Sequence, residues 1–260
     1  MFKFRKLLFL LVITAIQIQS LHAQFADINF KYKDFIFQTK YDSVDFSTEL
    51  KIRKNKKVIY KKVYYDRITE IKDYDLEGNG NKEILIQMYS GGAHCCTSLF
   101  AGEIKDNRFV FTDSISWGNS FYAVTDLNFD KRLEIAGVSD KFAYAFTNYA
   151  QSQFNLLIYN YENGKFREVT KNFPKQINDD IEELNSELKT YTDTGFQCME
   201  INEDTFNTDA GAVKAILAAI TAEYYTLGEA EKGYELIDAV YKCPDKEKFV
   251  QILKNDFKLE

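Results

Sequence analysis

The sequence predicts a mainly β N-terminal domain followed by an α-helical C-terminal domain. Three observations predict it. Residues from about 34 to 170 break into short runs rich in β-branched and aromatic residues, separated by turn signals. An acidic motif recurs at an offset of 51 residues, and a period near 50 with four strands per unit is the pattern of propeller blades. After Pro174 the apolar residues change to helical spacing. A closed propeller takes about four blades or more, so the expected β domain, over 24–173, is a partial, propeller-like one of about three four-stranded units. The helical domain is expected over 174–260.

The chain opens MFKFRKLLFLLVITAIQIQSLHAQ. Lys3, Arg5 and Lys6 precede an apolar run over residues 7–16, which is shorter than the ~20 apolar residues of a membrane span. Gln17 and Gln19 cut the run short, and Ala23 precedes Gln24 at a passable cleavage site. This reads as a secretory signal peptide, residues 1–23, cut near Ala23-Gln24. An exported mature chain with no transmembrane anchor, periplasmic or extracellular, is therefore expected. Removing the leader takes three of the 33 basic residues and none of the 39 acidic ones, so 30 face 39 and the formal charge is −9. Nucleic acid is excluded as a partner, because phosphate binding needs a basic footprint.

The strand runs include FIFQTK, TELKIRK, KVIYKKV, ITEIK, EILIQMY, TSLFAGEI, RFVFTDS, SFYAVTD, LEIAGV, FNLLIYNY and KFREVT. Lys54-Asn55, Asp106-Asn107 and Asn163-Gly164 mark turns between them. Beyond Pro174, Ile177, Ile181, Leu184 and Leu188 share one helical face, and Val213, Ile216, Leu217, Ile220 and Tyr224 share another. Gly228 is placed to cap the second helix. A third helix is expected over about 230–241 and a fourth after Pro244.

The repeat is visible residue by residue. Asp75, Leu76, Glu83 and Ile84 align with Asp126, Leu127, Glu134 and Ile135. Downstream, residues 104–109 lie over 161–166, so the second unit carries six extra residues, and residues 52–58 look like the same hairpin without an acidic loop. The stretch DYDLEGNGNKEILI concentrates oxygen-bearing side chains beside a strand. Calcium takes six to eight oxygens at about 2.3–2.6 Å, and a tight loop with alternate residues turned inward supplies them. In the first loop Asp75, Glu77, Asn79 and Glu83 are the expected side-chain ligands, with the Asn81 carbonyl. Gly78 and Gly80 allow the turn. In the second loop they are Asp126, Asn128, Asp130 and Glu134, with the Arg132 carbonyl. There Phe129 and Lys131 replace both glycines, which counts against that loop because bulky residues at positive φ are costly.

The loops resemble the D-x-D-G-D-G-x-x-[DE] loop of FG-GAP and VCBS repeats. SGGAHCC and the stretch from SDKFAYAFTNYA to TKNFP, within roughly residues 65–175, resemble a group of secreted bacterial VCBS-type proteins. The resemblance implies calcium in the acidic loops. Glu77 departs from the usual Asp or Asn, and its longer side chain would push the ion off centre.

All four cysteines lie in the mature part, where an oxidising compartment favours disulfides. Cys198 and Cys243, both C-terminal, are paired here, leaving Cys95 beside Cys96. A bond between neighbours would be strained and easily reduced. His94 and Cys96 could share a strand face as a nucleophilic dyad or soft-metal site, but a thiolate enzyme needs a reduced cysteine, and a bend locked by Gly91, Gly92 and the two cysteines is the plainer reading. Alternation over Phe142, Tyr144 and Phe146 would put three rings on one strand face, as a ligand surface flanked by Asp140 and Lys141 or, more commonly, as core. The lysine-rich stretch over residues 51–62 could touch an anionic polymer; protection of an exposed edge strand explains it better. The segment around Leu227-Gly228 has a faint tetratricopeptide flavour that a plain helical hairpin explains as well.

No nucleophile elbow, zinc-protease helix or phosphate loop occurs. The expected function is a non-catalytic, calcium-stabilised extracytoplasmic protein that binds a surface glycan or a protein. The alternatives are a hydrolase of cell-envelope polymers, for which a cleft with two convergent carboxylates outside the loops would speak, and an inhibitor or redox partner using Cys95 and Cys96.

Overall fold

The computed structural model describes residues 27–92, 95–200 and 204–260. The expected leader, its cut before Gln24, and His94 lie outside the described residues. Within them the expected order holds: three four-stranded sheets, then four helices. The first sheet is a meander of β1 (Asn29–Tyr32), β2 (Phe35–Asp42), β3 (Ser47–Lys54) and β4 (Lys57–Tyr64). The second runs β5 (Arg67–Tyr74), β6 (Glu83–Tyr89), β7 (Thr97–Lys105) and β8 (Arg108–Gly118). The third runs β9 (Tyr122–Thr125), β10 (Glu134–Val138), β11 (Leu156–Glu162) and β12 (Lys165–Glu168). The helices are α1 (Pro174–Thr192), α2 (Asp209–Thr226), α3 (Ala230–Val240) and α4 (Lys246–Asn255). Among the described residues no helix is long and apolar enough to cross a membrane.

Local chemistry explains the hairpins. Three two-residue hairpin turns place both residues at positive φ: Asn55 and Lys56 (48° and 69°), Asp106 and Asn107 (49° and 61°), and Asn163 and Gly164 (52° and 80°). Two left-handed residues in a row make a type I′ turn, whose twist matches that of the strands it joins. The first of these sits one residue later than the Lys54-Asn55 signal. The lysine-rich β4 is an edge strand of its sheet, and Lys51 and Lys61 both pair with Glu49 at 2.9 and 2.8 Å.

The compact division runs differently from the change in secondary structure. One unit takes the chain up to Tyr74 and Lys82–Thr112; the other takes Asp75–Asn81 and Asp113–Glu260. In the first, the inward faces of two sheets bury Phe35, Phe37, Leu50, Ile52, Ile84, Ile86 and Met88. Phe109 meets Phe37 edge-on at 5.3 Å and Phe111 at 4.8 Å, geometries that add about 0.5–1.5 kcal/mol each beyond simple burial.

In the second unit the third sheet stays with the helices. The connection between β10 and β11 sends Phe142 and Phe146 into the helical core, where they pack on Phe257 and Phe249. Helix α2 is apolar on every side, AGAVKAILAAITA, and is accordingly buried on every side between α1 and α3. The four predicted α1 residues, Ile177, Ile181, Leu184 and Leu188, are its buried stripe. Thr208 caps α2 at its start, accepting the Gly211 N–H at 3.2 Å. At its end Gly228, at φ +78°, donates to the Tyr225 carbonyl and Glu229 donates to that of Tyr224, the double bond of a Schellman cap. The Cys198–Cys243 disulfide closes a span of 45 residues that contains α2 and α3.

Candidate functional site

Both acidic loops fold on one hydrogen-bond frame. In the first, Asp75 Oδ1 accepts the Asn79 N–H at 3.0 Å and Oδ2 accepts that of Gly80 at 2.9 Å; Asn79 Oδ1 in turn accepts from Asn81 N–H at 2.8 Å. In the second, Asp126 accepts from Asp130 and Lys131 at 3.1 and 2.9 Å, and Asp130 accepts from Arg132 at 2.8 Å. Every donor and acceptor is shifted by 51 positions. Backbone angles match too: Gly78 and Gly80 stand at φ +66° and +83°, Phe129 and Lys131 at +64° and +74°. The cost counted against the second loop therefore remains, but it does not prevent the turn. Its bulky residues do adopt the left-handed region, because the two amides bound by Asp126 and the one bound by Asp130 hold the turn.

The loops also touch. The Leu133 N–H donates to the Leu76 carbonyl at 3.1 Å, and a Cβ on Gly78 would lie 2.8 Å from the Lys131 carbonyl oxygen. Gly78 is thus needed twice, for its φ and for this approach. We expect Gly78→Ala to cost about 2–3 kcal/mol, from left-handed strain plus overpacking, read as a fall in denaturation midpoint. Phe129 has the opposite problem: its ring is 90% exposed at the same φ. Phe129→Gly should be neutral to stabilising, by up to about 1 kcal/mol, in the same measurement.

The other expected ligands have definite places. Glu77 Oε1 accepts the Asn163 N–H in the β11–β12 turn at 2.7 Å, and Oε2 accepts from Asn79 Nδ2 at 2.8 Å. Its extra methylene therefore reaches a second turn. Asn128 Nδ2 donates to Asp130 Oδ2 at 3.0 Å. Glu134 is buried and accepts the Leu127 N–H at 2.9 Å. Burial raises its pKa, with Asp130 and Asp126 adding to the effect. Asp130, exposed, is lowered by the Arg132 amide and by Asn128. Glu83 is buried at the start of β6.

Among the described residues no group of three or more His, Cys, Asp or Glu side chains is arranged to hold a metal ion. The donor chemistry nonetheless fits calcium. It is all oxygen, the preference of a hard cation, and a carboxylate oxygen that accepts one N–H keeps a second lone pair.

The aromatic segment is corrected. Residues 140–142 and 149–151 form short 3-10 turns and no strand runs over 142–146, so Phe142, Tyr144 and Phe146 do not share a strand face. Phe142 and Phe146 are core, while Tyr144 is exposed and packs on Tyr149 at 5.6 Å. Asp140 accepts from the Asn119 backbone and side chain at 3.1 and 3.2 Å, and burial lowers the Lys141 pKa.

Two acids escaped notice in the sequence. Glu223, on α2, is fully buried and accepts the Leu156 N–H at the start of β11. Asp180 on α1 lies beside it, and burial raises both carboxyls, Glu223 to about 9. Asp180 Oδ2 and Glu223 Oε2 are buried without an N–H or O–H donor from the protein, so a proton held between them satisfies both. The signal was available: Glu223 is the one acid in α2 after Asp209. A cavity of about 280 Å³ lies elsewhere, lined by Phe146, Phe249, Ile252, Lys214, Asp245 and Lys248 among others. Asp245 there is bound by Lys214 Nζ at 2.8 Å and by the Tyr241 hydroxyl at 2.9 Å.

No family model matches the chain, and no solved structure matches it. It is 25% identical over 176 residues to a probable thylakoid lumen protein of Synechocystis sp., covering 67% of this chain. The chain spans about half, 48%, of that relative's length.

Proposed function

We propose that this is an exported, non-catalytic protein whose acidic loops bind calcium and which recognises a surface glycan or another protein. The observation that carries the calcium reading is the common frame of the two loops, which fixes Asp75 and Asn79 in the first and Asp126 and Asp130 in the second in equivalent positions. Glu77 and Asn81, and Asn128, Arg132 and Glu134, are further members of the expected ligand sets, to which the sequence also assigned Glu83. Bound calcium would supply positive charge among these carboxylates, and so stiffen the connections between strands. The lumen location named for the relative supports a place outside the cytoplasm.

The binding reading is favoured over the hydrolase by where the paired carboxylates lie. Glu223 is fully buried on α2 with the half-buried Asp180 of α1 beside it, and the cavity's Asp245 is tied to Lys214 and Tyr241. Phe129, exposed at the tip of the second loop, is the ring we assign to partner contact.

The test is calorimetric titration of the purified full chain with calcium chloride after chelator treatment, with thermal melts alongside. At a hundredfold excess over Kd, one occupied site adds about 2.7 kcal/mol. A rise in melting temperature that chelator reverses, lost in Asp75→Asn with Asp126→Asn, is expected. No heat and an unmoved melt would overturn the calcium reading.

A further inference from the structure

The two disulfides of this chain are unlike. Cys198–Cys243 spans 45 residues with its Cα atoms 5.2 Å apart, inside the usual range of about 4.4–6.8 Å. Cys95–Cys96 joins neighbours. A trans peptide sets adjacent Cα atoms about 3.8 Å apart, so connectivity alone denies this pair an ordinary disulfide geometry, whatever the fold around it. Strained, accessible disulfides have the more oxidising potentials.

The surroundings favour access without unfolding. Both cysteines are half-buried. Gly91 and Gly92 precede them at φ +89° and +95°, and among the described residues a Cβ on either would meet nothing within 4 Å. Cys96 is pinned by its backbone instead of by its sulfur. Its N–H donates to Ser90 Oγ at 2.6 Å, and its carbonyl accepts from Ser90 N–H at 3.1 Å. Neither of these two bonds between residues 90 and 96 uses a cysteine sulfur, so opening the S–S bond removes neither.

We propose that Cys95–Cys96 is a thiol–disulfide exchange site that takes two electrons from a dithiol. A thiolate of the donor attacks one cysteine sulfur. The Cys95–Cys96 bond breaks, and its electron pair leaves on the other sulfur, which takes up a proton. The donor's second thiol then attacks the mixed disulfide, releasing the second cysteine as a thiol. The donor ends as a disulfide, and two electrons and two protons have moved to the protein.

The test equilibrates the native full chain with dithiothreitol at graded ratios of reduced to oxidised reagent. Thiols are trapped by alkylation, and each cysteine peptide is read by mass spectrometry. Half-reduction of Cys95–Cys96 is expected at a ratio at least a hundredfold lower than for Cys198–Cys243, a gap of about 60 mV, with circular dichroism unchanged across the first step. Cys95→Ser with Cys96→Ser should melt within a few degrees of the parent. Both pairs reducing together, or the vicinal pair resisting until the chain unfolds, would overturn the proposal. So would a large loss of stability in the double serine variant, which would make the bond a structural staple.

Discussion

Glu223→Gln should stabilise the protein at pH 8 and remove most of its loss of stability between mildly acidic and alkaline pH. The Glu223 carboxyl has an ordinary value of 4.5 and is pushed up to about 9 in the folded chain by burial, with Asp180 beside it. Between those values the folded chain holds a proton that the unfolded chain has released. Stability must therefore fall as pH rises through that window, by at most about 1.4 kcal/mol per pH unit. The contribution is whole below 4.5 and gone above about 9. Glutamine keeps the shape, can still accept the Leu156 N–H, and donates an N–H to Asp180 without any proton to lose. Denaturant midpoints at pH 5, 7 and 9 check this. The wild type should slope downward, and the variant should be flatter and lie above it at pH 8. Parallel curves would mean that the pair does not share a proton.

Removing the Cys198–Cys243 bond, as Cys198→Ala with Cys243→Ala, should cost roughly 4 kcal/mol. The closed span is 45 residues, and the chain-entropy relation gives roughly this value at room temperature. The loss falls on the helical core, since Cys243 is buried with Tyr241 and Phe249 in the cluster that surrounds α2. Phe196, near the other cysteine, stacks on Tyr241 at 6.0 Å, so freeing residue 198 also loosens that ring. At about 2–4 °C per kcal/mol for a unit of this size, the helical transition should drop by roughly 10 °C. Calorimetry of the double variant reads this directly. A drop of a degree or two would mean that packing alone holds the α2–α3 hairpin.

The elements that could be read from residues alone are those set by short-range chemistry. Type I′ turns at Asp106-Asn107 and Asn163-Gly164 need residues that tolerate positive φ, and the sequence has Asn, Asp and Gly there; at the first turn only Asn55 carries the signal, which placed it one residue early. Pro174 and Gly228 mark helix boundaries by backbone chemistry that acts within a few residues. The 51-residue repeat was visible because the loop frame is local: an aspartate reaches amides four and five residues on.

What only the tertiary structure decided depends on groups far apart in the chain. Alternation over Phe142, Tyr144 and Phe146 cannot distinguish a strand face from a connection whose rings dive into a core, because that core is built by residues from 177 onward. The third sheet's place with the helices follows from the same contacts. Glu77 was read as a departure from a ligand pattern until Asn163, 86 residues away, supplied its partner. Glu223 escaped notice on an apolar helix, and its protonation is set first by burial, then by Asp180 beside it, against the Leu156 amide at the start of β11. Sequence thus determined the turns, caps and repeat, whose free energies are settled within a few residues. Tertiary structure decided burial, the unit boundary and the charge of buried acids, since these depend on which surfaces lose water together.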